Sequence, residues 1–146
     1  KAYRSPASAL CTGTFQELLV DDDSFDRSAV TRLVLASGKV AHEAIEYRDT
    51  NGIATAVGRV EQLFPWPFDA ILAELDRLPA CREVVWLQEE PENMGPWNGI
   101  KGFLYNTLGD RYEIRRVSRD DAGSPATGKA AIHAQEQREL IEAAFA

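Results

Sequence analysis

The chain alternates short apolar runs with amphipathic segments from residue 31 to its end. Runs of branched apolar residues bounded by turn residues are typical of buried strands. Segments whose apolar residues recur at spacings of three and four are typical of helices packed on one side. This pattern predicts strands over residues 33–35, 54–63, 84–87 and 112–117, and helices over residues 40–48, 68–78, 97–107 and 130–145.

Strands and helices follow each other four times in this order, which indicates a parallel sheet covered by helices on both faces. We therefore predict a doubly wound, mostly parallel, Rossmann-like α/β fold for residues 31–146. Residues 1–30 show little periodicity and carry three consecutive aspartates, Asp21, Asp22 and Asp23. We expect this part to be an extended lead-in or linker that lies mostly on the surface.

An acidic stretch follows the third predicted strand, where residues 88–97 read QEEPENMGPW. Clustered carboxylates repel each other unless a cation, a helix N-terminus or a positively charged partner lies nearby. We interpret the stretch as a loop that docks on a partner, with Glu89, Glu90, Asn93 and Trp97 as candidate interface residues. Use of the two glutamates as a catalytic acid and base is the less favoured interpretation.

Polar residues also follow the other predicted strands. The carboxyl ends of parallel strands meet at one edge of a sheet, where ligands bind. Cations, flexible glycines and helix-start amides at such an edge suit an anion. Plain turns and surface ion pairs of little energetic value are the alternative interpretation. The predicted anion-binding residues are Ser37, Lys39, Arg59, Gln62, Arg119 and Lys129.

Composition narrows the possible functions. The 146 residues carry a formal net charge of −7, whereas a nucleic-acid binder needs a basic face. No run approaches the roughly 18 apolar residues of a membrane span, and the start of the chain lacks the apolar core of a signal peptide.

Cys11 and Cys81 form no CxxC motif, so we expect free thiols without metal or redox chemistry. We expect packed or solvated roles for His42 and His133. Because Lys1 replaces an initiating methionine, we expect a fragment or a processed product.

Four motifs occur in a fixed order along the chain: SGKV at residues 37–40, RVEQLFPWP at 59–67, EVVW at 83–86 followed by the acidic stretch, and Arg119 followed by SPATG at 124–128. Together they resemble the C-terminal, transketolase-C-like domain of the E1 component of 2-oxoglutarate dehydrogenase. The resemblance extends over nearly the whole chain. The chain departs from the family pattern in the linker over residues 119–123 and in the turn after Gly128, where Ala130 and Ala131 stand in place of expected lysines. The second departure weakens the case for anion binding by that turn.

The resemblance implies an enzyme that decarboxylates 2-oxoglutarate on thiamine diphosphate with Mg²⁺ and passes the succinyl group to the E2 dihydrolipoyl succinyltransferase. The cofactor lies between other domains of such enzymes, so we expect no catalytic residue, cofactor or metal in this segment alone. The implied roles are homodimerisation, support of the active-site domains and binding of AMP or acetyl-CoA. The alternative is a stand-alone nucleotide or acyl-CoA sensor without catalysis. We expect a bacterial cytoplasmic location, or the mitochondrial matrix if the source is eukaryotic.

Overall fold

A computed structural model describes residues 7–22, 25–125 and 127–146. Lys1, Asp23 and Ala126, which entered the sequence predictions, lie outside the described residues. The elements form one five-stranded sheet flanked by helices. They are, in chain order, α1 (Ala7–Thr12), β1 (Leu18–Leu19), β2 (Arg32–Ala36), α2 (Lys39–Asn51), β3 (Ala56–Val60), α3 (Phe68–Asp76), β4 (Glu83–Pro91), α4 (Trp97–Leu108), β5 (Glu113–Arg119) and α5 (Ala130–Phe145).

The strand order in the sheet is β1-β3-β2-β4-β5. Strands β2 to β5 are mutually parallel, and β1 pairs antiparallel with β3 at one edge. The predicted α/β fold with a mostly parallel sheet is therefore confirmed. The short elements α1 and β1 were not predicted, because six and two residues are too few to show a hydrophobic period.

Each central strand sends alternate side chains to opposite faces of the sheet. In β2, Leu33 and Leu35 join the core beneath α3 and α4, whereas Val34 and Ala36 join the core beneath α2 and α5. All four side chains are fully buried. The uninterrupted apolar run in the sequence thus reflects a strand covered on both faces.

Three predicted boundaries or faces need correction. Strand β3 covers only residues 56–60, not 54–63. Strand β4 extends to Pro91 because its pairing with β5 resumes at Arg119 beyond an irregularity, so residues 88–91 belong to the strand and not to a loop. Ile132, expected on the inner side of the last helix, is 44% exposed, because α5 reaches the core mainly through its C-terminal half.

The end of the lead-in packs on the edge of the sheet. Leu18 pairs with Val60 in the neighbouring strand and is buried in the core with Val30. The backbone N–H groups of Glu61 and Gln62 both donate to the carbonyl oxygen of residue 17. Most described side chains of the lead-in are exposed, as expected, whereas Leu18, Arg27 and Val30 are buried. A domain boundary at residue 30 stays a prediction.

Two buried arginines attach the lead-in to the helices on opposite faces. Arg27 Nε donates to Glu74 Oε1 on α3 at 3.1 Å, and Arg48 Nη1 on α2 donates to Asp21 Oδ1 at 2.6 Å. The Arg48 guanidinium also lies 4.8 Å from the ring centre of Phe25. Burial alone would lower the pKa of Arg48, but its carboxylate partners raise it instead. The acidic lead-in residues therefore compensate buried charges.

A second ionic cluster lies where strands β2 and β4 begin. Glu83 accepts hydrogen bonds from Arg32 and Arg115 on the two flanking strands. Both arginines also reach carbonyl oxygens at the end of α5, those of Ala144 and Ala143. Burial by itself raises the pKa of Glu83, but the two arginines outweigh burial and hold the pKa below its ordinary value. The cluster fastens α5 to the sheet.

Among the helices of the described residues, none combines the length and the apolar character needed to cross a bilayer.

Candidate functional site

The turns after β2, β3, β4 and β5 lie along one edge of the sheet, because these four strands are parallel. Strand β3 lies on one side of β2, and the next strand along the chain, β4, lies on the other side of β2. Such a reversal of strand order opens a crevice beyond the carboxyl ends of the strands, which is the usual ligand position in open α/β sheets. The predicted convergence of the four turns is confirmed.

The N-terminus of α2 begins in this crevice. Gly38, at the N-cap position, has φ +72°, which only glycine adopts at little cost. No side chain caps the helix, and its first turn holds no acidic residue. A Cβ atom built on Gly38 would have no described heavy atom within 4 Å. The space beside Gly38 is therefore open, and the first amide groups of α2 have the polarity that attracts an anion.

Arg59, at the end of β3, lies beside the first turn of α2. Its Nη1 donates to His42 Nε2 at 2.8 Å, and its Nε pairs with the carboxylate of Glu61. The Arg59 side chain is 19% exposed, and that of Glu61 is 36% exposed. His42 thus holds the Arg59 guanidinium close to the helix N-terminus. This contact is the form that the packed role expected for His42 takes in the structure.

Arg119, at the end of β5, is the start of a polar chain that crosses α5 and reaches α2. Arg119 Nη2 donates to His133 Nδ1 at 3.1 Å and to Gln137 Oε1 at 2.8 Å. Gln137 Nε2 donates to Glu43 Oε2 at 2.7 Å. The other oxygen of Glu43 lies 2.6 Å from Lys39 Nζ. The structure therefore connects the predicted residues Lys39 and Arg119 through side chains of both helices.

The other predicted anion-site residues are placed differently. Ser37 is half-buried in the turn before α2. Gln62 donates to Glu17 Oε1 at 3.3 Å and to the Pro65 carbonyl at 2.9 Å, so its amide is used to fasten the lead-in. Lys129 is exposed at the N-cap position of α5. Their binding roles stay predictions.

Arg59 and Arg119 stand on strands that are not neighbours and have different hydrogen-bond partners. Strands β3 and β5 are separated by β2 and β4, and a spacing of about 4.8 Å per strand puts their backbones roughly 14 Å apart. Arg119 also lines an open cleft of about 720 Å³ between α5 and the loop before it. Four carboxylate side chains share this lining: Asp120, Asp121, Glu136 and Glu139. Their charge opposes a phosphate, so the electrostatics favour the Arg59 side for an anion.

Gln88 organises the acidic stretch. This side chain is 2% exposed. Its Oε1 accepts hydrogen bonds from Trp86 Nε1 and the Trp97 backbone N–H, both at 3.0 Å. Its Nε2 donates to the carbonyl oxygens of Pro91 and Met94 at 3.0 and 2.9 Å. One buried amide therefore joins the end of β4 to the first residue of α4.

The predicted interface residues have different environments. Glu89 and Glu90 are half-buried in the last part of β4. Asn93 exchanges hydrogen bonds with the backbone of Ala122, donating at 3.0 Å and accepting at 3.2 Å, so it holds the loop that follows β5. Trp97 is only 6% exposed, which makes it a core residue with little surface for a partner. The interface role of the other three residues stays a prediction.

Part of the repulsion in the acidic stretch is relieved within the chain, because Glu92 forms an ion pair with Arg116. Within residues 7–22, 25–125 and 127–146, no three His, Cys, Asp or Glu side chains are grouped so that they could hold a metal ion. Cys81 is buried, and burial raises the pKa of its thiol.

The sequence predictions missed His42, Glu43 and Gln137 as members of the site. His42 lies 17 residues from its partner Arg59, and Gln137 lies 18 residues from Arg119 and 94 residues from Glu43. Glu43 lies four residues from its partner Lys39. Only the Lys39–Glu43 spacing, which places the pair on one helix face, carried a usable signal.

Comparison with known proteins agrees with this geometry. The family model described as "2-oxoglutarate dehydrogenase C-terminal" matches residues 4–145. The 2-oxoglutarate dehydrogenase E1 component of Cupriavidus necator is 37% identical over 143 residues, which cover 97% of this chain and 15% of the relative. The E1 component of Oceanobacillus iheyensis is 37% identical over 132 residues, covering 87% of this chain and 14% of the relative. The multifunctional 2-oxoglutarate metabolism enzyme of Mycobacterium sp. (strain KMS) is 37% identical over 137 residues, covering 90% of this chain and 10% of the relative.

The chain thus spans only about a seventh of the length of the E1 relatives that it matches. The match nevertheless runs through every strand and helix of the sheet described above. This chain belongs to the 2-oxoglutarate dehydrogenase C-terminal family.

Proposed function

We propose that this chain acts as the C-terminal domain of a thiamine diphosphate-dependent 2-oxoglutarate dehydrogenase E1, which passes succinyl groups to the lipoyl-bearing E2. Its role there is structural and regulatory, in a homodimer, and catalysis belongs to other domains. Family membership and relatives that are named E1 components support the proposal.

We further propose that the domain binds the phosphate of a nucleotide or acyl-CoA effector at the N-terminus of α2. The observation that carries this proposal is the position of Arg59, which His42 holds against the first turn of an uncapped helix. Lys39 adds a cation that is 54% exposed. A helix N-terminus, a guanidinium and an ammonium together form a common phosphate-binding combination.

Both cations already have carboxylate partners on the same edge, Glu61 for Arg59 and Glu43 for Lys39. Each pair has one partner that is at least 36% exposed, and ion pairs at the surface contribute only about 0–1 kcal/mol. A phosphate dianion that accepts hydrogen bonds from Arg59 and the helix amides gains more, because one hydrogen bond to a charged group contributes roughly 1.5–3 kcal/mol. Exchange of partners on effector binding is therefore favourable.

Calorimetry on the folded chain with inorganic phosphate, AMP and acetyl-CoA tests the binding proposal. We expect Arg59→Ala to weaken binding roughly 10- to 100-fold, which corresponds to one lost charged hydrogen bond. Arg111→Ala, which removes an equal charge at the opposite edge of the sheet, is the matched control and should change little. Absence of heat with all three ligands would refute the effector site.

The same titrations distinguish a short ligand from a long one. AMP carries one phosphate, so its affinity should fall with Arg59→Ala and should change little with Arg119→Ala. An acyl-CoA that crosses the roughly 14 Å to Arg119 should lose affinity with Arg119→Ala as well. If only Arg119→Ala weakens binding, the anion occupies the other end of the sheet and our electrostatic argument is wrong.

The E1 role is tested in a hybrid protein, in which these 146 residues replace the matching segment of the Cupriavidus necator E1 component. We expect this hybrid to decarboxylate 2-oxoglutarate with thiamine diphosphate and Mg²⁺, and we expect the isolated chain not to do so. Turnover by the isolated chain would refute the non-catalytic role, and a folded but inactive hybrid would contradict the E1 role. The second candidate, a stand-alone sensor, is favoured only if the isolated chain binds an effector while the hybrid is inactive.

A further inference from the structure

The chain contains two histidines, and each of them contacts an arginine at the end of a parallel strand. Arg59 Nη1 lies 2.8 Å from His42 Nε2, and Arg119 Nη2 lies 3.1 Å from His133 Nδ1. A guanidinium is always charged and only donates hydrogen bonds. The imidazole nitrogen that accepts such a bond carries no proton, so both histidines are neutral in this arrangement.

Protonation of His42 is opposed by its surroundings as long as Arg59 stays in contact with it. The proton would bind at the nitrogen that accepts from Arg59, and it would place two positive charges next to each other. His42 also lies in the first turn of α2, which begins at Lys39, and the dipole of a helix opposes a cation at this end. A bound anion would reverse the balance, because a nearby opposite charge stabilises the protonated form.

Carboxylates on the elements around His42 are already paired with cations or are exposed. Glu61 pairs with Arg59 and Glu43 pairs with Lys39. The other charged or titratable groups on these elements are Glu17 and Asp21 of the lead-in, Glu46 of α2, His133 and Arg138 of α5, and Glu89 at the end of β4. Asp21 is paired with a buried arginine, and Glu17 and Glu46 are exposed to screening solvent. A carboxylate whose charge is compensated in this way favours an imidazolium less than a bound phosphate dianion would.

We propose that anion binding at the N-terminus of α2 is coupled to protonation of His42, so that the affinity for a phosphate-bearing effector rises as the pH falls. This inference rests on the proposed effector site. When Arg59 turns its guanidinium from His42 to the phosphate, the released imidazole nitrogen takes up a proton from solvent. The imidazolium is then a further hydrogen-bond donor beside the anion. An ordinary histidine gains its charge between pH 5 and 8, so the coupling acts in the physiological range.

His133 is the matched comparison within the same chain. It accepts from Arg119 in the way that His42 accepts from Arg59. Arg119 lies at the end of β5, however, and β2 and β4 separate that strand from β3. His133 also lies at the fourth position of α5, which begins at Ala130, so both histidines have the same place in their helices. A nucleotide phosphate held by Arg59 should therefore leave the protonation of His133 unchanged.

Calorimetry with AMP on the folded chain at pH 8 and pH 6 tests the coupling. The phosphate of AMP itself takes up a proton in this range, so the informative quantity is the difference between the chain and His42→Gln. The glutamine keeps an acceptor for Arg59 but takes up no proton. Between pH 8 and pH 6, the affinity of the unchanged chain should rise about tenfold relative to that of His42→Gln, and His133→Gln should behave like the unchanged chain. Equal pH dependence of the chain and His42→Gln would overturn the coupling and leave the effector site intact, whereas absence of heat at both pH values would refute the effector site.

Proton NMR of the two imidazole rings gives a second readout that needs no substitution at His42. The signals are assigned with His133→Gln, which leaves one imidazole in the chain. Saturation with AMP should raise the midpoint of the His42 titration by about one pH unit, which is the tenfold coupling expressed as a shift, and should leave the His133 midpoint in place. A His42 midpoint that stays or falls with AMP bound, or an equal rise for both rings, would overturn the proposal.

Discussion

Replacement of Gln88 by leucine should remove about 4 kcal/mol from the free energy of unfolding. The leucine fits the volume of the side chain but leaves two buried donors, Trp86 Nε1 and the Trp97 N–H, without their acceptor. A buried donor left without a partner costs roughly 1–3 kcal/mol, and two such donors give about 4 kcal/mol. The carbonyl oxygens of Pro91 and Met94 lose their amide donor at the same time, and the bond to Pro91 is buried, so this loss adds to the cost.

Urea denaturation with a fluorescence readout measures this loss. For a slope of about 2 kcal/mol per molar urea, the midpoint should fall by roughly 2 M. Gln135→Leu is the matched control, because Gln135 is exposed on α5 and substitutions at such positions usually change stability by less than about 0.5 kcal/mol. If Gln88→Leu costs no more than Gln135→Leu, the hydrogen bonds seen at this amide do not organise the turn.

Gln88→Glu separates the acceptor role from the donor role of the side chain. The glutamate keeps an oxygen for both donors, but at neutral pH its second oxygen faces carbonyl groups that formerly accepted from Nε2. We expect a variant that is destabilised at pH 7 and partly recovers as the pH falls towards 5, because the protonated carboxyl can donate. Destabilisation that is independent of pH would show that the donor side contributes nothing.

Three further predictions concern parts of the fold that the site depends on. Asp21→Ala should cost roughly 3 kcal/mol in urea denaturation, because it removes the buried carboxylate partner of Arg48 and leaves that buried charge with the exposed Asp49 as its ion-pair partner. Asp49→Ala, at a carboxylate that is 60% exposed, should cost far less, and equal losses would contradict the role of the buried pair. The pKa of Glu83 is lowered in the folded state. Its contribution to stability is therefore present above the unfolded pKa of about 4.3 and is lost as the pH falls through the folded value. Glu83→Gln should flatten the pH dependence of the melting temperature below pH 5, and an unchanged slope would contradict this. Gly95→Ala should cost roughly 1–3 kcal/mol by calorimetry, because φ is +68° and the new methyl group would lie 2.9 Å from a neighbouring glutamate side chain; a neutral effect would mean that the turn can relax.

The local spacing of apolar residues was sufficient to predict the architecture. The last helix, α5, has the bounds that its spacing predicts, and β2 lies where its apolar run lies. These elements are decided by residues close together in sequence, since the period of apolar positions must match the geometry of the element. The parallel order of β2 to β5 then forces their carboxyl ends onto one edge, so the position of the candidate site followed as well.

Long-range pairing could not be read in the same way. The extension of β4 depends on a contact between Pro91 and Arg119 beyond an irregularity. The lead-in is ordered by charges that meet across the fold, such as Asp21 with Arg48, 27 residues apart. Neither contact leaves a period or a motif in the sequence.

The sequence by itself determined the α/β class, the order of the main elements and the edge at which the polar turns gather, because each of these follows from local periodicity and from the direction of parallel strands. Only the tertiary structure decided which polar side chains meet. It places Arg59 against α2 through His42, it pairs the Gln62 amide with Glu17 of the lead-in, and it holds the acidic stretch through the buried amide of Gln88. Side-chain pairing depends on distances between residues remote in sequence, and those distances exist only once the chain is packed.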